Sequence, residues 1–191
     1  MRIHLLINGY FYKAQQLTMA QLQKNEEQIS RQNISYYDEI ATDYDAIINK
    51  ESANKIIRKK VSDKFISLVK GRLVLDFGGG TGQDLSWLLN NNYRVVFCEP
   101  SASMRRIAID QHKNAFSGTK IDFLDGDKTD FRNWNEIFPF EQKVDAILAN
   151  FAVINCIPDI DLLFKKLALA IKPGGILVAL ILESGLKKWL R

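Results

Sequence analysis

Between Asp76 and Gly82 the chain reads Asp-Phe-Gly-Gly-Gly-Thr-Gly, and few stretches restrict a fold so tightly. Four glycines in five positions carry no Cβ to obstruct a sharp turn or the close approach of a ligand. The bend follows a compact apolar run, Leu73 to Phe77, too short for a typical helix. Four more such runs follow, Tyr93 to Cys98, Ile121 to Leu124, Val144 to Ala149 and Ile176 to Leu182. Most are rich in Val, Ile, Leu or Phe, as strands buried on both faces are. Helix-like stretches separate them near Gln83 to Leu89, Ser103 to His112, Phe131 to Ile137 and Ile160 to Ile171. This alternation predicts right-handed crossovers and an α/β, doubly wound parallel sheet with helices on both faces. Ligands of such sheets bind outside the carboxyl ends of the strands, where strand order reverses.

Upstream of the alternating region lie two different textures. Residues 1–34 scatter Gln15, Gln16, Gln21, Gln23, Gln28 and Gln32 among apolar residues and read as an N-terminal arm. Residues 35–70 read as a helical lid segment. A helix is expected to start at Ser35, capped by its hydroxyl with Asp38 as capping-box partner, and a second runs from about Ser52 to Val69. Residues 71–191 are expected to form the α/β core.

The glycine bend suits two ligand classes of opposite charge. A dinucleotide wants glycines in G-x-G-x-x-G spacing, and Gly78 and Gly80 fill the first two places while Gln83 occupies the third. Asp76 sits two residues before the first glycine, where its charge opposes a phosphate and attracts a cationic or zwitterionic ligand. Lys and Arg number 26 against 22 Asp and Glu, a net charge of +4, too weak a bias for a nucleic-acid footprint. Lys55, Arg58, Lys59, Lys60 and Lys64 cluster on the second helix and read as a solvated face. Only Cys98 and Cys156 are present, so no disulfide framework is expected and a reducing, cytoplasmic setting fits. No apolar run approaches the roughly 18 residues of a membrane span. Asp125, Asp127 and Asp130 have neither the spacing of a calcium loop nor a His or Cys beside them, so no metal is expected. His4 and His112 do not read as catalytic.

Asp76-x-Gly78-x-Gly80-x-Gly82 resembles the first motif of class I S-adenosylmethionine-dependent methyltransferases, a resemblance that implies a Rossmann-like core with strands in the order 3-2-1-4-5. Phe97-Cys98-Glu99-Pro100-Ser101, Leu124-Asp125-Gly126-Asp127-Lys128, Val144 to Phe151 and Lys172-Pro173-Gly174-Gly175 resemble the later motifs in the family's order. Tyr37-Asp38-Glu39-Ile40-Ala41 and Tyr44-Asp45 resemble the helix that lids the cofactor in small-molecule members. The resemblance implies that Glu99 takes the cofactor's ribose hydroxyls, with Pro100 beside it. It also implies that Asp127 accepts from the adenine amino group, with Lys128 next to it and Asp125 as the competing register. Asn150 and Phe151 stand beside the transferable methyl, Phe77 belongs to the bend, and Tyr37 and Tyr44 face the sulfonium, where a ring contributes about 0.5–2 kcal/mol. Asn155 lies where substrate would approach.

The expected activity is methyl transfer from S-adenosylmethionine to a small-molecule acceptor, with no general base assigned. The alternatives are a binding module of the same fold without turnover and a nicotinamide-dependent oxidoreductase. Family members usually finish the sheet with an antiparallel strand pair, for which the stretch from Glu183 to Arg191 leaves no room. The expectation is therefore a bare edge on the fifth strand, covered by a second copy of the chain or by the N-terminal arm.

Overall fold

The computed structural model describes residues 19–113, 120–136 and 138–182. Helix α1 spans Met19–Asn49 and α2 spans Ser52–Leu68. Then come β1 (Leu73–Phe77), α3 (Leu85–Asn90), β2 (Arg94–Cys98), α4 (Ala102–His112), β3 (Ile121–Phe123), β4 (Val144–Ala149), α5 (Ile160–Ala170) and β5 (Ile171–Ala179). The five strands form one sheet in the order β3-β2-β1-β4-β5, and every pair is parallel. Fold class and direction are those expected from the alternating apolar runs, and the order is the one the family resemblance implies.

The period-two geometry of β1 divides the core. Leu73, Leu75 and Phe77 face a cluster with Trp134 and the α5 residues Leu163 and Leu167. Val74 faces the opposite cluster, built on Phe65 of α2, Leu85 and Leu88 of α3 and Ala108 of α4. Asp76 falls on that second face, so its position on the strand drives a carboxylate into the protein. At the amino ends, Asp145 accepts from the backbone N–H groups of Arg72 and Leu73 and from Lys172 Nζ, which fastens β4 to the start of β1.

Three local expectations change. No helix begins at Ser35: α1 runs unbroken from Met19, because no glycine or proline interrupts residues 19–49 and the glutamines are good helix formers. The Ser35 hydroxyl donates to Glu39 instead of capping, and Asp38 reaches another helix altogether. The helix expected near Phe131 is replaced by two single 3-10 turns, Gly126–Thr129 and Phe131–Asn133. The Asp130 carboxylate caps the second turn at Arg132 N–H, and the buried Trp134 indole donates to Lys128 O, so the chain folds inward before a helix can propagate. Finally, β5 pairs earlier than expected: Ile171 sits opposite Val144, the Lys172–Gly175 turn loops out, and pairing resumes at Ile176 opposite Ala146. His4, Ile137 and the stretch Glu183 to Arg191 lie outside the described residues.

Helix α1 crosses the carboxyl end of the sheet and is fastened there by polar contacts. Asn33 Nδ2 donates to Cys156 O at 2.9 Å. Asp38 accepts from Ser101 Oγ at 2.6 Å and from Ser103 N–H at 2.9 Å, at the start of α4. Asp45 accepts from Thr81 Oγ1 and, at 2.6 Å, from Gln83 Nε2 in the glycine bend.

Candidate active site

The glycine bend emerges from β1 and packs against everything around it. Gly78, Gly80 and Gly82 all have positive φ, of +70°, +59° and +83°. An added Cβ at Gly78 would lie 2.2 Å from Val153 Cγ2, whereas one at Gly80 would meet nothing closer than 3.8 Å and would point towards Met104 and Tyr44. Gly80 is therefore open towards a ligand, and Gly78 is locked by its neighbours. Gly78→Ala should cost clearly more stability than Gly80→Ala in a denaturant melt. Gly80→Ala should fold, at a backbone cost of roughly 1–2 kcal/mol, yet carry a methyl into the ligand space.

A cavity of about 200 Å³ opens above this bend. Its walls include Phe77 and Gly78 to Thr81 from the bend, Glu99 and Pro100 from the end of β2, and Asn150 and Phe151 from the end of β4. Tyr37 and Tyr44 reach it from α1. Glu99 is 6% exposed. Its Oε2 accepts from Gly80 N–H at 2.9 Å and its Oε1 from Ser101 N–H at 2.8 Å. Burial pushes this carboxyl up to about 7, against the pull of those two N–H groups. Each oxygen keeps a further lone pair for a ligand hydroxyl. Burial also raises both tyrosines, Tyr37 most strongly, with its hydroxyl 3.5 Å from Cys156 Sγ.

The electrostatic part of the sequence reading needs correction. Asp76 does not face the cavity: it is 1% exposed beneath the bend, and its Oδ2 has no hydrogen-bond partner among the described residues. Burial, reinforced by the nearby Asp84 charge, holds its carboxyl well above the usual range. Its burial away from the cavity, not its charge, is what the structure shows of this residue. The carboxylates on the cavity wall are Glu99, Asp84 and Asp130. Asp127 and Lys128 sit exposed on the Gly126–Thr129 turn, whose last residue, Thr129, is the one that lines the cavity. Gly82 packs on Ala108 of α4 rather than on the cavity. Asn155 is exposed and exchanges two hydrogen bonds with the backbone of Leu182, extending the sheet's hydrogen bonding past β5.

Sequence reading missed a charged cluster on the wall. Arg58, placed there on a solvated face, turns inward with its side chain 18% exposed and bonds Asp84 Oδ2 at 2.6 Å. Asp84 also accepts from Trp87 Nε1 and Asn150 Nδ2, both at 2.8 Å. Asp130 is held by Arg132 through Nε and Nη2. Gln83, noted only as the residue that breaks a dinucleotide fingerprint, anchors α1 through Asp45.

A doubly wound sheet in this order, with a glycine bend after β1 and an acid just past β2, is a Rossmann-like fold. The profile of the methyltransferase-domain family matches residues 75–177, over half of the chain, and the chain belongs to that family. An uncharacterized methyltransferase of Bacillus velezensis is 30% identical over 127 residues, which cover 65% of this chain and 54% of that protein. The chain thus spans about half the length of that curated relative. Among solved structures, the DhpI complex with SAM and HEP aligns over 84% of this chain and 69% of that one, at 21% identity and a TM-score of 0.63. The DhpI complex with SAH aligns over 78% and 67%, at 22% identity and a TM-score of 0.59.

Proposed function

We propose that this chain binds S-adenosylmethionine in the cavity above the glycine bend and catalyses direct transfer of its methyl group to a small-molecule acceptor. The observation that carries this reading is the pairing of Gly80 with Glu99. A bend residue that is open towards the cavity donates its N–H to a buried carboxylate whose remaining lone pairs suit a vicinal diol. The residues present fit the cofactor: Glu99 would take the ribose hydroxyls, and the cradle over Gly80 would receive the ligand chain. Pro100 and Met104 would flank the base; Asp127, to which the motif gives the adenine amino group, stands outside the cavity wall, where Thr129 and Asp130 are the residues of that turn region that line it. When bound, the sulfonium supplies a methyl group already activated for displacement.

The chain's own contribution is then to align and enclose. The α1 segment carrying Tyr37 and Tyr44 acts as the lid, and Asn150 and Phe151 form the wall beside the reacting centre. Alignment of this kind lowers a barrier by about 7–11 kcal/mol. The reading keeps a cytoplasmic setting, supported by two free cysteines. No described helix is long and apolar enough to cross a membrane. It also keeps a second copy of the chain along β5, which has no strand on its outer side among the described residues. Calorimetry with S-adenosylmethionine, S-adenosylhomocysteine and NAD tests the central claim. The two adenosyl compounds should bind and NAD should not. Tight NAD binding without a response to either sulfur compound would sink the reading.

A further inference from the structure

The turn after β4 is strained, and the contacts that restrain it form a closed circuit. Phe151 and Ala152 stand in the left-handed region at φ +51° and +63°; outside glycine, Asn92 alone joins them among the described residues. Side chains with a Cβ avoid this region because the Cβ crowds the carbonyl oxygen. Such conformers persist where surrounding contacts over-determine them. Here Asn150 Oδ1 accepts Phe151 N–H at 2.9 Å, and Asn150 Nδ2 donates to Asp84 Oδ2 at 2.8 Å. Asp84 Oδ2 also takes Arg58 Nη1 at 2.6 Å, and the Arg58 guanidinium lies 4.2 Å from the centroid of the Phe151 ring. The circuit begins and ends at Phe151, passes through α2 and the bend before α3, and all four of its side chains line the cavity.

We propose that Arg58 is a positioning residue. Bonded to Asp84, its guanidinium pins the Phe151 ring, keeps Phe151 and Ala152 left-handed and so fixes the wall against which the acceptor is aligned. The purpose of the clamp rests on the methyltransferase reading, but its existence is measurable without turnover. The task needs an arginine. A planar guanidinium can stack on a ring with its face while its edge bonds a carboxylate, which a lysine ammonium cannot do. Its neighbour on α2, Lys59, bonds Asp63 on the exposed side of the same helix.

The test is a double-mutant cycle. Ala152→Gly relieves the left-handed penalty at one residue. With Arg58 in place it should raise Tm by about 2–4 °C. In Arg58→Gln the turn has already relaxed, so the same glycine should bring no gain, as expected for residues in one network. Arg58→Lys, which keeps a cation near Asp84 and uncovers the ring, serves in the same cycle if Arg58→Gln does not fold. Backbone 13C shifts of Phe151 and Ala152 should move away from left-handed values in the Arg58 variants, a signature that a general loss of stability does not produce. Equal Tm gains in both backgrounds, or 13C shifts unchanged by substitution of Arg58, would overturn the clamp. Calorimetry with S-adenosylhomocysteine on the unsubstituted chain separates the two readings. Failure to bind there counts against the proposed function, while the cycle alone decides the clamp.

Discussion

Glu99→Gln should weaken S-adenosylhomocysteine binding at pH 8 by about 10–150-fold, the equivalent of roughly 1.5–3 kcal/mol for hydrogen bonds to a charged group. The amide keeps the shape of the side chain but loses the charge, and its NH2 is turned against one of the two backbone donors, Gly80 or Ser101. The wild-type carboxyl titrates near 7 because burial outweighs those donors. Its ionised form accepts from hydroxyls, so affinity should rise about tenfold from pH 6 to pH 8. The Glu99→Gln variant should show no such rise. The ligand-free fold has the opposite dependence. A carboxyl raised from its ordinary 4.5 to about 7 favours the folded state at low pH, and that contribution fades as pH climbs between those two values. Calorimetry and thermal melts across pH 5–8 would read both slopes. A Glu99→Gln protein with unchanged affinity at pH 8 would remove Glu99 from the ligand site.

The largest loss of stability should come from Asp84→Ala. Asp84 is 5% exposed and receives Arg58, Asn150 and Trp87. Its removal leaves the half-buried Arg58 guanidinium without its carboxylate and two further donors unpaired, at a cost of about 3 kcal/mol. Asp63→Ala, which breaks the exposed Lys59–Asp63 pair on α2, should cost less than about 1 kcal/mol. Urea titrations of the two variants make the comparison. A small, equal effect in both would show that Arg58 finds another partner at no expense.

The sheet was legible because its signal is local. Each apolar run is bounded by glycine, polar turns or a helical pattern, which makes the strands and their parallel direction readable; their order came with the family resemblance, because the alternation alone fits more than one order. The bend was legible because its four glycines fall within five positions, and Glu99 because it directly follows a short apolar run; the structure brings the two together at the cavity wall. Arg58 was hidden by its company: four lysines share its stretch of α2, and nothing in the sequence separates the one cation that turns inward. Asp76 misled because the charge of an isolated aspartate was read without its position on a strand buried on both faces, where a side chain on either side enters the core. Asp38 looked like a capping partner for Ser35 because three-residue spacing has that meaning at a helix start, and it loses that meaning in mid-helix. Its actual partners, Ser101 and Ser103, are more than sixty positions away.

The attachments of α1 run from Asn33 to Asp45, about 18 Å along a rigid rod. A rod pinned at three separate stations cannot peel from one end as a loop does, because lifting any station levers the others. Traffic into and out of the space beneath it should accordingly be governed by a single concerted swing of the helix. The residence time of a captive molecule then measures the undocking of that helix as much as the strength of its own contacts.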